Sequence, residues 1–245
     1  MALLKTTSVP SPLRILSLGV LAWIAYLAAR TGIQILLPVS DMATYLEQDA
    51  VITVLRLATL GFCYWLGRLR YPRESFQNLP GRRGVAWALG LWMTSAFTLS
   101  WFARTPAPFT AWNWGSRLIE AAVALIVAAN EEVGWRATMF EPLRETLGAA
   151  WAVGLTTLGF LLMHVGYQPW QAWPRIVFTA LAFSLGRLRG LSLGSLIAIH
   201  FACDASMALY QPEGTIANWN YDIASAVMVA AAATAVFFLK PKADA

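Results

Sequence analysis

The chain has 245 residues, of which 58% are hydrophobic and 13% charged, with a mean hydropathy of +0.56 and a formal net charge of +5. Soluble domains carry about 25% charged residues, so this composition excludes an ordinary globular protein and indicates a polytopic membrane protein. No polar stretch is long enough for a second, soluble domain, and one integral membrane domain over residues 1–245 accounts for the length.

A bilayer span needs about 20 apolar residues. The sequence offers eight such stretches, at roughly 14–37, 51–67, 84–104, 117–139, 149–165, 174–188, 191–210 and 221–239. The expected fold class is therefore all-α, a polytopic transmembrane helical bundle. Lys5 and Arg14 lead into the first stretch without a small-residue cleavage site, so that stretch reads as a span rather than a cleaved signal. The fifth and sixth are short, which predicts tilt or shielding by protein. Cys63 and Cys203 fall inside spans and read as small buried hydrophobes.

Orientation follows from the loops. With the N-terminus in the cytoplasm, Lys5, Arg14, Arg68, Arg70, Arg73, Arg82, Arg83, Arg136, Arg144, Arg187, Arg189, Lys240 and Lys242 all lie on that side. On the far side sit Asp41, Glu47, Asp49, Glu213 and Asp222, with Arg30, Arg104, Arg117 and Arg175 near those ends. The bias fits the positive-inside rule, and an even span count returns the C-terminus to the cytoplasm. It also accounts for the basic balance without nucleic acid, which is excluded as a partner. Trp101, Trp112 and Trp114, then Tyr167, Trp170 and Trp173, then Trp219 and Tyr221, read as interfacial belts. No internal repeat is evident.

Against this background a few polar residues stand out. Glu131, Glu132 and Arg136 follow the apolar run 118–129, and a carboxylate at bilayer depth costs about 2.5–3.5 kcal/mol on insertion scales. Glu132 and Arg136 are four apart, a spacing that favours an ion pair. Glu131 points about 100° away around the helix and is the acid without that partner. The spacing assigns Glu132–Arg136 to architecture and Glu131 to chemistry. The two histidines are His164, near the end of the fifth span, and His200, in the middle of the seventh. Asp204, four residues after His200, shares its helix face. Each feature has a plainer reading: a histidine bridging two helices, or acids snorkelling to water beside Arg136. Arg56 and Glu120 read as packing or interface charges. Together, however, these groups supply a base, an imidazole and polar partners for a developing oxyanion.

At these residues the sequence resembles the CAAX-protease and bacteriocin-processing family of intramembrane proteases, whose eukaryotic relative is the type II CAAX prenyl endopeptidase. The family pattern of Glu-Glu-x-x-x-Arg, Phe-x-x-x-His and His-x-x-x-Asn or Asp is met by Glu131-Glu132-Val-Gly-Trp-Arg136, Phe160-Leu-Leu-Met-His164 and His200-Phe-Ala-Cys-Asp204. Ala137 stands where Gly often follows the Arg, and Asp204 where the prenyl endopeptidase has Asn. The matching core covers about 117–210.

The resemblance implies that Glu131 and His164 activate a water and that His200 donates to the oxyanion. Asp204 would then serve either as a protonated donor or as the group orienting His200. Glu132, Arg136 and Phe160 support them. Glu131, His164 and His200 also have the ligand types of an open zinc site; the resemblance favours a mechanism without metal. The expected substrate is a membrane-embedded or lipidated peptide, with a prenylated C-terminus among the candidates, cleaved in a cavity opening to the cytoplasm near Arg136. The expected location is a membrane, multi-pass, the inner membrane for a bacterial source. Two other readings stay open: a proton- or ion-coupled transporter, since intramembrane acids and histidines also make proton relays, and a non-catalytic immunity or scaffold member of the same family.

Overall fold

The computed structural model describes residues 9–71, 89–90, 92–93, 114–166, 168–210 and 219–238. Most of the expected third span, most of the first Trp belt, and the loop basic residues Lys5, Arg73, Arg82, Arg83, Arg104, Lys240 and Lys242 lie outside them. Among the described residues the chain is helical, with one isolated bridge between Val165 and Gln168.

Helix α1 (Pro12–Leu36) begins where Ser11 accepts from the Arg14 amide and Pro12 fills the first turn, a position where the missing N–H is harmless. Helix α2 (Met42–Arg68) begins with a reciprocal cap: Asp41 accepts from the Thr44 amide at 2.9 Å, and the Thr44 hydroxyl accepts from the Asp41 amide at 3.1 Å. Both helices are long and apolar enough to cross a membrane.

The next rod is longer than its sequence suggests. Helix α3 (Trp114–Glu132) passes into a π-helical stretch, Val133–Phe140, and on into α4 (Glu141–Leu147). All eight π-helical residues are buried. Gly148, with φ +88°, turns the chain back into α5 (Ala149–His164), a backbone angle that side chains with a Cβ resist. A 3-10 turn (Trp170–Ala172) leads into α6 (Trp173–Leu188), followed by α7 (Leu193–Tyr210) and α8 (Trp219–Phe238).

Helix α3 lies along α7, α6 along both α5 and α8, and α1 along α2. Small residues let the rods close on the π-helix. A Cβ on Gly134 would fall 2.2 Å from the Trp23 ring nitrogen, one on Gly19 2.6 Å from the Thr138 hydroxyl, and one on Gly159 2.6 Å from the Trp135 ring. Membrane helices pack through such positions because burial between helices gains little over contact with lipid. Trp23, Trp135, Met139, Phe160 and Ile176 form one core around the π-helix, and Phe183, Leu196, Ile199 and Val229 belong to another between α6, α7 and α8. Cys63 and Cys203 are free and buried in these cores. On α5 the residues left exposed include Trp151, Leu155, Leu158 and Leu162, an apolar stripe at helical spacing that suits lipid.

Candidate active site

Helices α3 and α7 run side by side, and this brings Glu132 to His200 across 68 positions of sequence. Glu132 is fully buried. One carboxylate oxygen accepts from His200 Nδ1 at 2.9 Å, and the other from Arg136 Nε at 3.2 Å. Arg136, also fully buried, donates onward to the Ala180 carbonyl of α6 at 3.4 Å. Its guanidinium lies 6.0 Å from the centre of the Phe160 ring. The expected Glu132–Arg136 pair is present, but Glu132 does more than balance a charge. It takes the Nδ1 proton of His200 and so fixes which ring nitrogen faces the cavity.

That nitrogen, Nε2, lies 3.8 Å from Glu131 and 3.4 Å from Asp204. The task of holding the His200 tautomer, given above to Asp204 as one alternative, falls by geometry to Glu132. Asp204 stands with Glu131 on the reactive side. Three carboxyl groups thus surround one imidazole, and Nε2 meets its two acids favourably only when a proton lies between them.

His164 is the last residue of α5. Its Nδ1 donates to the Phe160 carbonyl one turn back at 2.8 Å, leaving Nε2 to accept. Its ring packs on Phe160 with centroids 4.7 Å apart. Phe160 also approaches His200, at 6.4 Å, and Trp135, at 6.0 Å. One buried phenyl therefore sets the position of both histidines and of the arginine.

Glu131, His164, His200 and Asp204 line a single cavity of about 190 Å³. At roughly 10–15 Å³ of such volume per water, it has room for several waters rather than one. Its wall also includes Arg30, Arg56 and Arg175. Arg56 pairs with Asp49 at 2.8 Å and Arg175 with Asp222 at 3.5 Å. Arg56, read from sequence as a packing charge, is thus part of the site wall. Asn130 and Thr179 line the cavity as well and were not singled out by sequence. A polar residue beside Glu131 at the end of an apolar run was the signal for the first, and Thr179 left none.

The expectation of a mouth near Arg136 is overturned. Arg136 and the whole π-helix are sealed in the core. The cavity is instead lined by residues at the opposite ends of the rods: Arg30 late in α1, His164 at the end of α5, Gln168 in the following turn, Arg175 at the start of α6 and Met207 late in α7. Among the described residues no three His, Cys, Asp or Glu side chains converge as a metal-ligand set. His164 and His200 are each held through Nδ1, which turns Nε2 of both rings to the cavity.

Residues 113–206 match the family model described as type II CAAX prenyl endopeptidase Rce1-like. No curated protein and no solved structure matches the chain.

Proposed function

Because residues 113–206 carry an Rce1-like domain, we propose that the chain is an intramembrane endopeptidase that hydrolyses a peptide bond in a membrane-associated substrate. The observation that carries this reading is the convergence of Glu131, His164, His200 and Asp204, drawn from three helices, on one cavity. In this reading all 245 residues form one integral membrane domain of eight spans, with both termini in the cytoplasm.

The chemistry needs no metal. Glu131 takes a proton from a water held with His164 Nε2, and the water oxygen attacks the scissile carbonyl. His200, carrying a proton on each ring nitrogen, keeps Nδ1–H on Glu132 and donates Nε2–H to the oxygen of the tetrahedral intermediate. Collapse breaks the C–N bond, and the proton held by Glu131 passes to the leaving amine. Asp204, beside Nε2, adds a second donor to that oxygen when it is itself protonated. Glu132 positions His200, and Phe160 positions both rings. Extended substrate backbone is tolerable at this depth only inside such a polar, protein-walled space.

The direction of the cavity bears on the substrate. With Arg14, Arg68, Arg70 and Arg187 marking the cytoplasmic end, the mouth faces the far side of the membrane. A substrate segment then enters from that leaflet rather than as a cytosolic lipidated tail.

The test is purified protein in lipid nanodiscs with matched prenylated and unprenylated fluorogenic peptides, with and without a chelator. Glu131→Ala, His164→Ala and His200→Ala should lose nearly all turnover, Asp204→Asn should retain or gain some, and chelator should change nothing. Equal cleavage by wild type and Glu131→Ala rejects the mechanism, and loss on chelation with recovery on added zinc rejects its metal-free form.

A further inference from the structure

Two buried polar groups in the cavity wall play no part in activating water. Asn130, in the last turn of α3, is 1% exposed, and its side-chain oxygen has no hydrogen-bond partner among the described residues. Thr179, in the second turn of α6, is 8% exposed, and its hydroxyl is likewise without a partner. Three other buried threonines among the described residues behave differently, while the hydroxyl of the half-buried Thr157 is also without a partner. Thr138 and Thr156 each donate to the carbonyl one turn back, both at 2.6 Å, and Thr59 does so at 3.0 Å. Thr179 forgoes that bond and lines the same cavity as Glu131 and His200.

A buried polar group left unmatched is costly. Unmatched polar atoms occur elsewhere among the described residues, but these two lie on different helices in the wall of one cavity, where a ligand can complete both. The partner they suit has regularly spaced N–H donors and C=O acceptors. An extended peptide is such a partner, and inside a bilayer its backbone groups must find protein counterparts. Asn130 is next in sequence to Glu131. With a rise of about 3.3 Å per extended residue, a backbone N–H near the scissile carbonyl comes within reach of the Asn130 oxygen. The Thr179 hydroxyl can donate to a carbonyl or accept from an amide.

We propose that Asn130 and Thr179 bind the extended backbone of the substrate beside the scissile bond. They make the site selective for unwound, strand-like segments and tolerant of side-chain identity. This rests on the peptidase reading.

The experiment is an amide-to-ester scan of a cleaved peptide, replacing one backbone N–H at a time on either side of the scissile bond. It is run in nanodiscs against wild type, Asn130→Ala and Thr179→Val. Wild type should lose roughly tenfold in kcat/KM at one ester position, as expected for about 1.4 kcal/mol. Asn130→Ala should show a similar loss on the all-amide peptide and no further loss at that position, with its melting temperature unchanged. Thr179→Val, nearly the same shape without the hydroxyl, should mask a different position, while Thr179→Ser keeps the wild-type profile.

If the ester and side-chain losses simply add at every position for both variants, the two groups bind water or serve packing, and this inference falls while the peptidase reading stands. If wild type cleaves no peptide, both fall together.

Discussion

The two ends of the bundle handle buried charge in opposite ways. At the sealed end, Glu141 is 4% exposed and its two oxygens are divided between two cations: Arg187 donates to one at 2.7 Å and Arg144 to the other at 2.9 Å. Arg187 then spends a remaining donor on the Leu191 carbonyl at 2.8 Å. Both oxygens of Glu141 are answered by protein. At the cavity end one imidazole is shared by Glu131, Glu132 and Asp204, and the Asn130 side-chain oxygen and Thr179 hydroxyl find no partner among the described residues. A saturated cluster holds helices together, whereas an under-satisfied one keeps protons mobile and leaves room for a reactant.

The sharpest way to break this contrast is to neutralise one acid at each end. Glu131→Gln should lower turnover by about 10³-fold, within the range of general-base removal, and leave thermal stability unchanged or raised, since one of three acids crowding a single imidazole has gone. Glu141→Ala should do the reverse: a loss of roughly 3 kcal/mol for a buried ion-pair network missing one partner, with kcat/KM intact in the folded fraction. Steady-state kinetics and melting curves on both variants check this. Matching responses would mean the two clusters do the same work.

Glu132 belongs to both categories. Its removal leaves Arg136 buried without its carboxylate and frees His200 Nδ1, so Glu132→Gln should cost about 3–5 kcal/mol and most of the turnover. A stable, inactive Glu132→Gln would make it purely a site residue, and an unstable but active one purely a structural residue.

This double duty marks the limit of what sequence reveals here. The four-residue spacings of Glu132 with Arg136 and of His200 with Asp204 follow from helix geometry, and both contacts are present. The 2.9 Å bond between Glu132 and His200 joins helices far apart in the chain, and no local spacing encodes it. The π-helix was equally hidden. Nothing in the spacing of residues 133–140 announces the wider turn, and the close approaches of Gly134 to Trp23 and Gly159 to Trp135 around it join separate helices. The apolar stretches located the helices well, because a greasy run between Gly, Pro and charges has few other fates. They could not say which end of the bundle is hollow, because the hollow depends on how the rods cross.

The glycine contacts offer a smaller perturbation. A Cβ at residue 159 would lie 2.6 Å from the Trp135 ring, which packs on Phe160. Gly159→Ala should cost about 1–3 kcal/mol by overpacking. Through Phe160 it should also lower turnover severalfold, with KM little changed. Full activity in the destabilised variant would show that Phe160 does not transmit packing to the histidines.

The smallest effect belongs to a pair outside the bundle core. Arg70, just past α2, donates from Nε to Glu145 at 3.0 Å and from a terminal nitrogen to its other oxygen, and the Tyr71 hydroxyl adds a bond at 3.1 Å. The hydrogen bonds from Arg70 hold the Glu145 carboxyl below its usual range. A carboxyl whose folded pKa is depressed stabilises the fold above its unfolded pKa of about 4.3, and that contribution fades as pH falls through the lower folded value. The pair is partly exposed, with side-chain accessibilities of 25% and 41%, so solvent screening keeps the effect small. Wild type should therefore melt slightly above Glu145→Gln at pH 7, and the gap should close as the pH drops below the ordinary carboxylate range. A gap that widens with acid would mean the carboxyl is held in its protonated form, and the sealed end would then share the proton-holding character assigned to the cavity.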